Sequence, residues 1–415
     1  MREDSPVPRL RTDLEIIPAS YRGEKALLVR DHLGLIRDPV ILQGDTLSLL
    51  RLIDGQRTMR DIQVEFVRLK RGMLVDRGLI ERIVAELEAS FLLQSRQYQK
   101  ERERLLEEYA RFEIREASHA GRSYPANPQD LAHYLESFFL PEGNDGTPEA
   151  PGRVCALIAP HIDLEVGKRV YAKAYRAIRN IAPRRVFLLG TGHSLDEGYF
   201  CLTEKDYETP LGRAKTDRDV VKRLKKAGSR AVATYDISHR QEHSLEFELL
   251  FLQHLYGSSF SLIPILCGSF TADVERVSRP SQIKEVAGFL SELRACWDED
   301  RSGSLFVAGV DFSHIGPKFG HREKATSLLL EAKQHDQALL EALSRGDVQA
   351  LWAESRRVRD RYNVCGFAAL ASLLEIFPGS RGRVLDYEFW REEATRSAVS
   401  FAAAVLTIPE SGGPT

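Results

Sequence analysis

The sequence predicts an α/β protein in which a mixed, largely parallel sheet is flanked by helices, with a smaller α+β unit ahead of it. Three observations carry that prediction. Val154–Ala159, Arg185–Gly190 and Leu305–Val310 are short apolar runs with polar, Pro or Gly boundaries, the pattern of strands buried on both faces. Between the first two, Val166–Ile181 has helical length, with Val170, Ala174, Ala177, Ile178 and Ile181 at helical spacing. Strand, helix and strand of this size form a βαβ unit with parallel strands and a right-handed crossover. Each run also leads into a histidine: His161, His193 and His314. Open α/β sheets bind ligands beyond the carboxyl ends of their strands, where these side chains emerge.

Totals narrow the class further. A chain of 415 residues exceeds one typical domain, and a formal net charge of −2 gives no basis for a nucleic-acid or acidic-membrane partner. No apolar stretch reaches membrane-spanning length, and Met1-Arg2-Glu3-Asp4-Ser5 has no signal-peptide apolar core. The five cysteines include no CxxC pair, and Cys155 and Cys267 sit inside apolar runs as small buried hydrophobes. A reduced, cytoplasmic protein is the expectation.

In chain order, residues 1–12 read as a frayed polar tail. Leu14–Pro18 and Ala26–Arg30 suit a small hairpin, and Thr46–Leu52 a helix stopped by Asp54-Gly55. Thr58 is placed to cap a second helix with Ile62, Phe66 and Leu69 on one face, and Gly78–Ser90 a third, with Leu79, Ile83, Leu87 and Phe91 on one side. Residues 1–93 thus form a small winged-helix-like domain. No basic face marks it for DNA. Residues 94–116 read as a solvated connecting helix, alternating Lys/Arg with Glu. The large domain spans 117–408, with 409–415 as a tail. It has a helix at Pro128–Phe139, an exposed loop at Pro141–Gly152, a strand at Phe200–Thr203, a turn at Tyr207–Gly212 and a helix at Asp217–Ala227. Further helices follow at Glu242–Leu255, Ser281–Cys296, Lys324–Ala342 and Cys365–Ile376, with strands at Ser261–Cys267, Arg383–Phe389 and Ala398–Leu406.

Two imidazoles plus one further ligand make an open metal site for zinc, copper or iron. Cys365-Gly366 opens a helix, whose N-terminus favours the thiolate that binds metal or attacks. In Glu242-His243-Ser244-Leu245-Glu246 the two glutamates fall at i and i+4 on one helix face; His243 beside them is a supporting partner, an acid/base or a ligand. Asp311 either orients an imidazole or caps the next helix. His321, His335 and Asp336 read as surface-helix residues. Walker A, GxSxG and HExxH motifs are absent, so phosphate-loop, serine-hydrolase and zincin readings lose support.

Taken in order, His119-Ala120-Gly121 to Tyr124-Pro125, Pro160-His161, Gly190-Thr191-Gly192-His193-Ser194, Thr209-Pro210-Leu211-Gly212, Glu242–Glu246, Asp311–Gly316 and Cys365-Gly366 resemble the MEMO-like family, and within it protein B of the AmmeMemoRadiSam system. The first domain weakly resembles PqqD-like peptide-chaperone modules. The family resemblance implies a fold like class III extradiol dioxygenases. It implies His161, His193 and Cys365 as ligands of iron or copper, with His314, Asp311 and His243 as the catalytic or supporting groups. It also implies work beside a radical SAM protein and other AmmeMemoRadiSam components, with a peptide docking on the first domain. Two readings follow: a metal-dependent oxidoreductase in a dioxygenase-like pocket, or a non-catalytic peptide- or protein-binding scaffold with a relic pocket. The family's PHAGY is here Pro160-His161-Ile162-Asp163-Leu164. Asp163 therefore either reshapes the pocket or joins the metal.

Overall fold

The computed structural model describes residues 5–36, 38–73, 75–140 and 152–409, so most of the expected Pro141–Gly152 loop and of the 409–415 tail lies outside the described residues. The chain divides into Met1–Arg111 and Phe112–Thr415.

In the first unit β1 (Leu14–Tyr21), β2 (Glu24–Asp31) and β3 (Val40–Gln43) form an antiparallel sheet in that order. Arg22 and Gly23 both take positive φ, the two-residue turn whose twist matches paired strands. The helices α1 (Asp45–Leu50), α2 (Met59–Leu69) and α3 (Arg77–Ala89) bury Leu49, Ile62, Phe66, Ile80 and Val84 against Val29 and Leu42. Thr58 caps α2 as expected, in a reciprocal capping box with Asp61.

Several expectations are corrected here. β3 is additional: four residues at a sheet edge give too short an alternation to read. Leu69 is exposed at the end of α2, and α3 buries Ile80, Val84 and Leu87, a stripe rotated from the expected Leu79–Ile83–Leu87–Phe91 row. Residues 5–12 are not frayed: Val7 is buried, and Arg11 ion-pairs with Asp13 and Asp31 while its guanidinium lies 4.4 Å from the Tyr98 ring centre. α4 (Arg96–Ala110) is helical as expected but buries Tyr98, Leu106 and Tyr109, so one face is not solvated.

The second unit follows as β4 (Ile114–Arg115), α5 (Pro128–Glu136), β5 (Arg153–Ala159), α6 (Lys168–Arg176), β6 (Arg185–Thr191), β7 (Phe200–Leu202), β8 (Asp206–Thr209), β9 (Gly212–Thr216) and α7 (Arg218–Gly228). It continues with α8 (Glu246–Tyr256), β10 (Ser261–Cys267), α9 (Lys284–Asp298), β11 (Ser304–Gly309), β12 (Asp311–Ile315), α10 (Ala325–Arg345), α11 (Val348–Val358), α12 (Phe367–Ile376), β13 (Arg381–Glu392) and β14 (Ser397–Ile408). One sheet runs β12-β14-β5-β11-β6-β10-β9-β8-β4, with β13 added on β14 and β7 on β10. Its centre, β5-β11-β6-β10, is parallel. Alternate residues face opposite cores: Phe187, Leu189, Phe306 and Ala308 pack with α7, α9 and α12, while Val186, Leu188, Leu305 and Val307 pack with α6 and α8. Each fully buried Leu or Phe contributes about 1.5–3 kcal/mol.

β5 and β6 are parallel, but they are not neighbours. β11 lies between them, Ala308 pairing with Ile158 on one side and Leu189 on the other. A run apolar on both faces is stable only deep in the sheet, which draws β11 to the centre. His314 is also not at the end of β11. The chain turns after Gly309 into β12, antiparallel to β14, with His314 opposite Val399. Asp311 therefore lies on a strand and caps no helix. The expected Tyr207–Gly212 turn is the tight connection of the β8–β9 hairpin.

His335 and Asp336 lie on α10 but are buried: His335 bonds Glu354 at 2.7 Å, and Asp336 accepts from Ser313, Ser400 and Tyr387. His321 precedes that helix, and its Nε2 donates to the Arg361 carbonyl at 2.8 Å. Cys155 and Cys267 are buried as expected. No helix among the described residues is long and apolar enough to cross a membrane.

Candidate metal centre

Strand ends, one loop and one helix start deliver the site. His161 follows β5, His193 follows β6, and Cys365 stands just ahead of α12, whose N-cap is Gly366. Because β11 separates β5 from β6, the two histidines converge across it, their ring centres 5.1 Å apart. His243, on the loop leading to α8, completes the cluster at 5.2 Å from His161 and 5.0 Å from His193. Donor atoms of these three imidazoles lie within 4.8 Å of one another. Cys365 Sγ is 3.6 Å from His161 Nε2.

Backbone and carboxylate partners fix which nitrogen faces inward. His161 Nδ1 donates to the Gly309 carbonyl at 2.9 Å, which turns Nε2 toward the cluster, where a metal would displace its proton. Its backbone N–H donates to Asp311 Oδ1 at 3.1 Å. His193 Nδ1 is held by Glu242 Oε1 at 2.9 Å, and its backbone N–H by Oε2 at 3.0 Å. Glu242 is buried and also accepts from the backbone of His243 and Ser244. His314 Nδ1 lies 3.0 and 3.1 Å from the carbonyls of Phe312 and Asn363, so it is the protonated nitrogen and Nε2 is left to accept.

Burial opposes charge on His161, but the Asp311 carboxylate and the Cys365 thiolate outweigh it and raise the imidazole to about 9. Against the same burial, Glu242 and Cys365 raise His193 well above the usual range. Burial would raise Cys365, yet His161 and His314 hold it well below an ordinary thiol. Burial, with His193 and His161 nearby, keeps His243 neutral. The buried anions thus attract positive charge to the centre of the cluster. Imidazole nitrogens with a thiolate around such a point suit copper, iron or zinc.

The structure brings His161, His193, His243, Asp311, His314 and Cys365 to one cavity of about 820 Å³. Its outer walls include Ile162, Val166, Phe319 and Trp390. Asp163 lines it too, but as an exposed residue whose Oδ1 accepts from the backbones of Glu165 and Val166, outside the three-imidazole group. One pairing is corrected. α8 begins at Glu246, so Glu242 and Glu246 share no helical face. Glu242 grips His193, while Glu246 accepts from Arg115, Tyr124 and the backbones of Ser118 and His119. The dependence of His193 on Glu242 escaped the sequence reading, although an acid just ahead of a histidine was its visible trace.

Residues 115–405 match the family model described as Memo-like protein. A MEMO1 family protein of Aquifex aeolicus is 31% identical over 393 residues, 92% of this chain and 96% of its own. One of Thermus thermophilus is 29% identical over 352 residues, 84% of this chain and 99% of its own. One of Methanopyrus kandleri is 28% identical over 285 residues, 65% and 89% respectively.

Proposed function

The chain belongs to the Memo-like family, and from that premise we propose that it is a metal-binding protein whose His161, His193 and Cys365 hold iron or copper, with His243 close enough to add a third imidazole. One observation carries the reading: three imidazoles and a thiolate converge in a cavity, and both His161 and His193 have their Nδ1 atoms engaged elsewhere. Such outer partners orient ligands and raise their basicity. The metal would supply Lewis acidity and one-electron redox chemistry. Asp311 steadies the His161 backbone, and His314, with its Nδ1 proton committed to carbonyls, exchanges protons with a ligand at Nε2. This assigns the chain an oxidoreductase role.

The ordered motif set supports placing it as protein B of an AmmeMemoRadiSam-type system in the cytoplasm, beside a radical SAM protein. The small sheet-and-helix first unit supports peptide docking there. The test is metal content and metal Kd on protein purified without oxygen or chelators, beside His161→Ala and Cys365→Ser. Near-stoichiometric iron or copper, lost in both variants, is the expected result. A wild type that neither carries nor takes up metal would leave a pocket-bearing scaffold.

A further inference from the structure

The outer part of the cavity has its own chemistry, distinct from the donor cluster. Three charged side chains stand there: Asp163, Lys318 and Glu392. Lys318 is spent on Glu392, Nζ to Oε2 3.1 Å, and Glu392 also accepts from Thr395 at 2.6 Å. The Asn363 amide donates to the carbonyls of His314 and Phe319, both at 3.2 Å. Asp163 differs. Its Oδ1 caps the following turn, while its Oδ2 has no partner among the described residues. The aromatic walls divide the same way. Phe319 lies under Lys318 at 5.7 Å and edge-on to His314 at 4.9 Å, whereas Trp390 meets no other ring or cation among the described residues. The remaining wall is aliphatic, from Ile162, Val166 and Val399.

A carboxylate with no counter-ion and an indole with no ring or cation against it among the described residues, in a cavity of small-molecule size, are the elements that recognise an ammonium group. Away from the histidines, an anion would find Lys318 already neutralised by Glu392 and would meet Asp163 unshielded. We propose that this cavity selects organic cations: an ammonium set against Asp163 and the Trp390 ring, carried on an apolar body that fills the aliphatic wall and directs its far end toward the histidines. The inference rests on the reading of the same cavity as the functional pocket and names its ligand class. The Asp at 163 and the Trp at 390 are then the specificity-determining residues.

The experiment uses the full chain, as purified and after chelation, with tryptamine and its neutral analogue tryptophol as probes in titration calorimetry. Tryptamine should bind about tenfold or more tighter than tryptophol in both preparations. Asp163→Asn should remove most of that preference while keeping the metal content of the wild type, and Trp390→Ala should weaken tryptamine more than tryptophol. Equal affinities, tighter tryptophol, no binding of either at millimolar concentration, or a preference untouched in Asp163→Asn would each overturn the proposal. Loss of metal in Asp163→Asn would overturn it too, by moving the carboxylate into the donor set. A wild type that discriminates between the probes yet takes up no metal would sink the metal reading and leave the cation site standing.

Discussion

Glu242 holds His193 at two points, accepting the backbone N–H at 3.0 Å and the Nδ1 proton at 2.9 Å. A buried carboxylate with both oxygens committed fixes the ring's tautomer and its rotation together. Glu242→Gln keeps the shape but gives up the charge, and its amide NH₂ cannot accept the backbone proton. We predict that metal affinity falls about 10–100-fold in Glu242→Gln, with stoichiometry recovered at high metal concentration. Titration against a competing chelator reads this directly. An unchanged Kd would show that His193 is not a ligand or needs no anchoring.

Cys365 sits where a helix start, His161 and His314 all favour the thiolate. Cys365→Ser keeps the position but replaces a soft anion with a neutral hydroxyl. The copper-loaded wild type should show a thiolate-to-metal absorption band that this variant lacks, and the variant should lose Cu(I) affinity more than Zn(II) affinity, because thiolate selects soft ions. A band that persists in the variant would assign the sulfur ligand elsewhere.

The three central strands were legible because each is apolar on both faces, so neither sheet order nor helix packing was needed to find them. Their order was not. Which strand separates β5 from β6 depends on pairings between Phe306, Ala156 and Phe187, residues far apart in sequence. β12 escaped for a related reason: Asp311-Phe312-Ser313-His314 has no strand pattern of its own, and Asp311 was open to a helix-capping reading until Ser400 and Asp336 supplied the partners that let Ser313 be buried. Asp336 itself looks like a surface acid on a helix, and only donors from three other elements make its burial affordable. His161 and His193 were legible because strand ends in such sheets converge, while Cys365, His243 and His314, on a helix start, a loop and β12, were given their roles through the family resemblance. The anchoring of each ring was not legible, because Gly309 and Glu242 reveal their part only through geometry.

At Gly309 the end of β11 packs against the chain entering α8. A Cβ placed there would collide with the Ser244 carbonyl oxygen and lie 2.7 Å from the Glu248 side chain. The first contact is backbone, and β11 is paired on both edges, so neither side yields cheaply. Gly309→Ala is expected to cost about 1–3 kcal/mol or more in urea unfolding. It should also weaken metal binding, because the displaced carbonyl is the one that orients His161. Wild-type stability with an unchanged metal Kd would show that the contact relaxes without cost.

Burial of Glu248 predicts a pH dependence of the fold's stability. Glu248 is fully buried, its Oε2 accepts from Tyr175, and its Oε1 has no partner among the described residues. Burial raises it from an ordinary 4.5 to about 8. Between those values the folded protein keeps the proton and the unfolded chain releases it. Stability from this group is therefore complete below about 4.5, declines by roughly 1.4 kcal/mol per pH unit as pH rises, and levels off above about 8. Glu248→Gln cannot ionise, so it lacks this slope. Urea unfolding of both proteins at pH 5, 6, 7 and 8 should show the variant gaining on the wild type by a few kcal/mol in total, most of it before pH 8. Parallel stability curves would mean that the carboxyl is ionised in the folded protein, and that a cation or water reaches Oε1.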